Sequence, residues 1–232
     1  MLVARTMALP LVASHHTELA AYASVRSGNP FLVDGIEAGL GAFYGASDLV
    51  LSPSKAADTS LEGLGLDRAK IARWERGVDL ERFGPGRREP ELLPSELNVL
   101  YAGRLTREKG VELLADAFLA ARERDERLHL VLAGGGPEEG LLRERVGEHA
   151  TFLGWLEGDD LARTYASADL FLFPSRTDTF GQVVLEAQAS GLAVIAVAEG
   201  GPCDLIEDGV SGLLHPRTLT HSPLLSLTGR LA

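Results

Sequence analysis

A single cysteine, Cys203, stands among 232 residues, which excludes an internal disulfide and fits a reducing compartment. Long hydrophobic runs are missing too: none approaches the ~18 apolar residues needed to span a bilayer. Basic residues are in deficit, with 22 Lys and Arg against 33 Asp and Glu and a net charge of −11. They are scattered singly or in short clusters such as Arg87-Arg88, and that scatter argues against nucleic acid as a partner. Neither an Asp-x-Asp nor a His/Cys cluster at ligand spacing occurs near the expected strand ends, so no metal-ligating residues are expected. The opening "MLVARTMALPLVASHH" lacks a convincing signal-peptide cleavage region and runs directly into a strand-like segment. The chain therefore reads as cytoplasmic, with a peripheral contact at the inner membrane face left open.

What is present is a strong alternation. Hydrophobic residues make up 45% of the chain, enough to bury a real core, and the length corresponds to about one and a half domains at roughly 100–200 residues each. From residue 98 onward, short apolar runs read as strands: "NVLYAG" (98–103), "LHLVLAG" (128–134), "TFLG" (151–154), "DLFLFP" (169–174) and "LAVIAVA" (192–198). Between them "VELLADAFLAARERD", "EEGLLRERVGEH", "GDDLARTYASA" and "GQVVLEAQAS" place apolar residues at three- and four-residue spacing, the mark of amphipathic helices. Continuous apolar strands alternating with helices predict an α/β fold with a doubly wound parallel sheet covered on both faces. Upstream, "PLVASHH", "DLVLSPS" and "KIARWERGVD" predict further strands with helices between. The Gly-, Pro- and charge-rich segment 84–97 reads as a linker, and no internal repeat is evident.

Ligands of doubly wound sheets bind beyond the carboxyl ends of the strands, so the residues that follow each strand are the candidates. After the first comes "GRLTREKG", in which Arg104 and Lys109 are a turn apart and can reach one anion; two solvated surface cations are the plain alternative. After the second comes "GGGPEE" (134–139). Gly134 and Gly136 begin a G-x-G-x-x-G whose last position is Glu139, and it follows the second strand of its unit; both facts count against a dinucleotide site. Here glycine lets the backbone approach a ligand, with Pro137 opening the next helix, or simply makes a tight turn. In "SRTDTFGQVVLEAQASG", Asp178 and Glu186 flank an expected helix start near Phe180 and Gly181. The amides from about 179 to 183 then form an anion site at the positive end of the helix dipole. Arg104 and Lys109 offset Asp178 there, Glu186 suits a ribose diol, and Asp178 suits a sugar hydroxyl. The competing account makes Asp178 a helix cap and puts Glu186 on the wet face.

"GRLTREKG", "AGGGPE", "FLGWL" and "PSRTDTFGQVVLEAQASGLAVIAVAEGGPCDLIEDGVSGLL" resemble the donor domain of retaining glycosyltransferases of the GT-B fold, family 4, also called glycosyl transferases group 1 and including GDP-mannose-dependent mannosyltransferases. "SHHTEL", "LSPS" and "RGVDLERF" resemble the closing part of that family's first domain. The resemblance spans about residues 10 to 216. It implies a nucleotide-diphosphate sugar as donor (GDP-mannose or a UDP-sugar), a saccharide or lipid acceptor, retention at the anomeric carbon, no cofactor and no metal. Carried onto this chain, it makes Arg104 and Lys109 the diphosphate-binding pair, and Asp178 and Glu186 the two acids of the E-x7-E motif. Phe180, Gly181, Gln182 and Val183 contact sugar and phosphate, Leu156 lies against the base, and Gly103 and Gly135 line the donor. His16 matches a histidine that approaches the donor sugar, against the plain alternative of a structural histidine beside His15.

The resemblance also divides the chain into 1–83, the closing part of a partial Rossmann-like domain, a linker at 84–97, a donor domain at 98–216 and a divergent tail at 217–232. It implies that the chain is truncated at its N-terminus and that transfer by this length of chain fails. Asp178 stands where glutamate is usual and Ala193 where proline is frequent. Retention without an evident enzymic nucleophile implies front-face attack, with the leaving phosphate taking the acceptor proton. The other readings are a nucleotide-sugar epimerase of the same fold, a non-catalytic nucleotide-sugar-binding subunit and, more remotely, a Rossmann dehydrogenase.

Overall fold

The runs that read as buried strands form the centre of a six-stranded sheet in the computed structural model, which describes residues 2–74 and 76–216. The order of elements is α1 (Leu2–Thr6), β1 (Val12–Ser14), α2 (Leu19–Ser27), α3 (Pro30–Gly45), β2 (Leu49–Ser52), α4 (Lys55–Gly63) and β3 (Ile71–Arg73). Then follow β4 (Leu97–Ala102), α5 (Val111–Arg122), β5 (Leu128–Ala133), α6 (Glu139–Val146), β6 (Ala150–Gly154), α7 (Gly158–Ser167), β7 (Leu170–Phe173), α8 (Gln182–Ala189), β8 (Ala193–Val197), α9 (Pro202–Leu205) and β9 (Gly212–His215).

The larger sheet has the order β6-β5-β4-β7-β8-β9 and every pairing is parallel. Parallel strands need helical crossovers, and the helices fall on both faces. On one face Val111, Leu114 and Phe118 of α5, with Leu142 and Val146 of α6, pack against Val99, Tyr101, Leu130 and Leu132. On the other, Ala162 and Tyr165 of α7 and Val184 and Ala187 of α8 pack against Leu100, Val131, Phe171 and Val194. The direction of strand order reverses between β4 and β7. That makes the crevice beyond their carboxyl ends the switch point where such sheets take ligands.

The smaller sheet, β1-β2-β3, is also parallel. Its core is modest: Ala13, Tyr44, Val50, Leu61 and Leu66, supported by Leu40, Leu64 and Ile71. Of "KIARWERGVD" only residues 71–73 pair as strand; Lys70 closes a 3-10 turn before them, and residues 76–79 have no regular structure. The segment read as a linker lies along α7: Arg88 donates to the Ala168 carbonyl at 2.8 Å, Ser167 Oγ accepts from the Glu89 amide at 3.0 Å, and Phe83 and Leu93 are buried in the core below. β9 is not evident from the sequence, because an edge strand with one buried residue carries little apolar pattern. Pro137 sits in the turn ahead of α6 rather than in its first turn, since the helix begins at Glu139. The tail at 217–232 lies outside the described residues.

Candidate functional site

Three loops meet at the switch point, and glycines let them meet. After β4 the chain makes a 3-10 turn at Arg107–Lys109 and reaches Gly110 with φ of 74°, where a Cβ would stand 2.6 Å from the Pro174 carbonyl oxygen after β7. Only glycine fits both that conformation and that contact. The Thr177 hydroxyl then donates to the Glu108 carbonyl at 3.0 Å, tying the two loops together. Lys109 Nζ accordingly donates to Asp178 Oδ2 at 2.5 Å, with the two side chains only 16% and 20% exposed. The other Asp178 oxygen accepts from the Gly181 amide at 3.2 Å. Gly181, not Asp178, is the N-cap of α8 and no side chain caps the helix; Asp178 is the partner of a cation and of the amide just before the helix, so the anion-site account shares its atoms. From behind, the loop after β8 presses on this segment. The Gly201 amide donates to the Asp178 carbonyl at 2.8 Å, and a Cβ at Gly201 would stand 2.4 Å from Phe180 Cα.

Glu186 is not on the wet face. Burial raises its pKa, and the neighbouring Tyr165 and Gln182 pull it back only in part. Tyr165 is a fully buried ring of α7, and burial, followed by the Glu186 carboxylate, raises the phenol's pKa. Arg104 is exposed, its carbonyl accepts from the Tyr101 hydroxyl at 2.8 Å, and its guanidinium makes no ion pair among the described residues. Lys109 and Asp178 are thus joined, whereas Arg104 stands apart on the same loop.

The glycine-rich loop after β5 packs closely on the β4 loop. A Cβ at Gly134 would strike the Gly103 carbonyl oxygen at 1.9 Å, and one at Gly136 the Leu105 carbonyl oxygen at 2.3 Å. These glycines admit the neighbouring β4 loop, and the Leu105 amide donates to the Gly135 carbonyl at 3.0 Å. Gly135 itself is covered by the Trp155 indole, 65% exposed, whose Nε1 lies 3.0 Å from where its Cβ would be. Leu156 beside it is half-buried against the core under α7 and α8.

The smaller sheet supplies the opposite wall. The buried histidine is His15, held between the Tyr44 hydroxyl and Glu18 at 3.1 Å each. His16 is exposed, and its carbonyl accepts from the Thr179 hydroxyl at 2.9 Å, next to the start of α8. Gln182 donates to the Gly77 carbonyl at 3.0 Å. Phe180 is buried, and Val183 packs inward on the core.

Two further residues belong here that the sequence reading passed over. Arg76 contacts both His16 and the Phe180 ring. Glu108, lying between Arg104 and Lys109 with a side chain 1% exposed, pairs with Arg26 of α2 at 2.6 Å. The only sequence signal for Glu108 is a carboxylate set in the middle of a cationic loop.

The profile of the family described as glycosyl transferases group 1 matches residues 96–221. The chain is 38% identical over 217 residues to the GDP-mannose-dependent alpha-mannosyltransferase of Corynebacterium glutamicum, covering 91% of this chain and 50% of that protein. It is 35% identical over 224 residues to a sulfoquinovosyl transferase of Arabidopsis thaliana, covering 91% and 43%. The chain thus spans about half the length of the curated relatives it matches. In three dimensions it resembles Anabaena HepE in complex with UDP and glucose, with a TM-score of 0.75 at 21% identity over 98% of this chain and 63% of the other. The fold is of the GT-B type, as the resemblance of the sequence motifs implies.

Proposed function

The chain belongs to the glycosyl transferases group 1 family, and we propose that it binds a nucleotide-diphosphate sugar at the β4/β7 switch point, from which the protein passes the sugar to an acceptor with retention of configuration. One observation carries this reading: Lys109 and Asp178 are paired at the N-terminus of α8, with Arg104 on the same loop and Glu186 a little further along the helix.

An entering diphosphate takes over Lys109 and the Gly181 amide from Asp178, and Arg104 swings in as the second cation. Asp178, released, turns to a sugar hydroxyl. The helix terminus and the two cations stabilise charge as it develops on the leaving phosphate. Glu186 accepts from the ribose diol, and its partial burial strengthens that bond because little water competes. Gly103 and Gly135 keep the floor of the donor site narrow, Leu156 lies against the base, and His16 meets the sugar from the opposite wall. Phe180 to Val183 present backbone to sugar and phosphate.

The name of the Corynebacterium relative favours GDP-mannose or a sugar nucleotide of that kind, and UDP in HepE keeps UDP-sugars in view. The acceptor is a saccharide or a lipid headgroup, reached from the cytoplasm and, for a lipid, at the membrane face.

Calorimetric titration with nucleoside mono- and diphosphates and their sugars tests this. Removing Arg104 and Lys109 together should abolish the preference for diphosphate over monophosphate. Each charged hydrogen bond lost contributes about 1.5–3 kcal/mol, roughly 10- to 100-fold in affinity. A preference that survives the double substitution moves the phosphate site elsewhere.

A further inference from the structure

Arg76 lies in the loop after β3, where its guanidinium nitrogen comes within 3.0 Å of His16 Nδ1. The same guanidinium stands over two rings, 4.9 Å from the centre of Trp74 and 5.9 Å from that of Phe180. Trp74 in turn meets His16 edge to face, with ring centres 4.9 Å apart and planes at 84°. Three aromatic groups and one cation thus form a cluster that reaches from the smaller sheet to the residue preceding α8. A guanidinium has five N–H donors and no lone pair to offer, so in its bond to Nδ1 the imidazole must be the acceptor. An imidazole that accepts at Nδ1 and is neutral carries its proton on Nε2.

We propose that Arg76 is a positioning residue: it holds His16 as the neutral Nε2–H tautomer, so that His16 presents a hydrogen-bond donor, and not a base, to a hydroxyl of the donor sugar. The target of that donor rests on the reading of this cleft as a nucleotide-sugar site; the hold of Arg76 on the ring does not. Three other features agree. Burial, then Arg76, then His15 lower the His16 pKa, which keeps the ring neutral. The Thr179 hydroxyl anchors the His16 backbone to the loop that leads into α8, so ring and helix start are set in one frame. Trp74 and Phe180 flank the guanidinium, which limits its swing and so limits the ring it holds.

The test has two arms on the same protein. Heteronuclear NMR of protein labelled with 15N-histidine should show His16 protonated on Nε2 and unprotonated on Nδ1 near neutral pH. Arg76→Leu should turn that signal into a tautomer mixture, and Arg76→Lys, which keeps a donor, should restore it. In the second arm, affinities for a sugar nucleotide and for the matching nucleoside diphosphate are compared. Arg76→Leu should cost the sugar nucleotide roughly 3- to 10-fold, the worth of one ordinary hydrogen bond, and leave the bare diphosphate unchanged. His16→Ala should cost the same, and the double variant no more than either. A proton on Nδ1 in the unaltered protein, or additive losses in the double variant, overturns the proposal. If no sugar nucleotide binds the unaltered protein, the proposed function and the sugar target both fall, while the NMR arm still decides whether Arg76 sets the tautomer.

Discussion

Glu186 carries a conflict between stability and binding. Burial raises its pKa, so its charged form is the disfavoured one in the folded chain. For a raised carboxyl, the favourable contribution is fully present below the ordinary glutamate pKa and is lost as pH rises through the folded value. Near neutral pH the ionised Glu186 therefore costs stability. Glu186→Gln should raise the melting temperature at neutral pH, and the gain should disappear below about pH 4, where the carboxyl is protonated in both states. If Glu186 holds the ribose as proposed, the same variant takes a charged acceptor from the diol. Glu186→Ala should weaken nucleotide-sugar binding by roughly 10-fold or more, while Glu157→Ala, at an exposed position before α7, should leave it unchanged. Calorimetry on the two alanine variants decides the matter: equal losses would remove Glu186 from the site.

The start of α8 is shaped less by its own residues than by the loop behind it. Gly181 has φ of 93° and Gly200 has φ of 72°, both in the left-handed region that glycine tolerates. Gly201 is needed for a different reason, since any side chain there meets Phe180 backbone. Gly201→Ala must displace the Asp178–Phe180 segment, and overpacking of this kind costs about 1–3 kcal/mol. It should also loosen the Lys109–Asp178 geometry and weaken nucleotide binding. Gly140→Ala is the control, because it lies in α6 with open space around it and should be neutral or gain about 0.5–1 kcal/mol. Denaturant midpoints of the two variants measure the difference, and a Gly201→Ala protein as stable as the control would show that the segment yields freely.

Across the whole molecule, the two sheets are joined by a few polar ties rather than a broad apolar seam. Besides Thr179 to His16 and Gln182 to Gly77, the Lys55 amide donates to Asp204 at 2.5 Å, and Arg26 embraces Glu108 through two nitrogens. Burial alone would raise the Glu108 carboxyl; the hydrogen-bonded Arg26, with the Glu108 backbone and the nearby Thr106, holds it below the usual value. A depressed carboxyl gives stability that is present above the ordinary glutamate pKa and lost as pH falls through the folded one. Arg26→Ala should therefore lower the melting temperature at neutral pH, with the gap closing in acid; a gap independent of pH would mean that the pair is not what Arg26 supplies. No metal enters this account. Among the described residues no group of three or more His, Cys, Asp and Glu side chains is placed to hold an ion. Nucleotide-sugar binding should then persist in excess EDTA, and a loss on chelation that magnesium or manganese restores would defeat the cation-and-helix account of the diphosphate site.

The strands β4, β5, β7 and β8 could be drawn from the chain alone because a strand buried on both faces is apolar at nearly every position, and no neighbour is needed to read that. The same holds for the helices between them, and for the arrival of Arg104, Lys109 and Asp178 just beyond strand ends, which follows from strand and helix order. Local periodicity is silent on which distant groups meet. Arg26 and Glu108 lie 82 positions apart, and each taken singly looks like a solvated charge. Arg76 sits in a charged stretch with no pattern of its own, and its contact with Phe180 exists because two sheets face each other. Gly134 and Gly136 stand against the backbone of the β4 loop, whose approach no count of glycines reveals. Spacing along the chain decides what a segment becomes; which side chain stands opposite it depends on crossovers and loop paths that bring remote segments within a few ångströms.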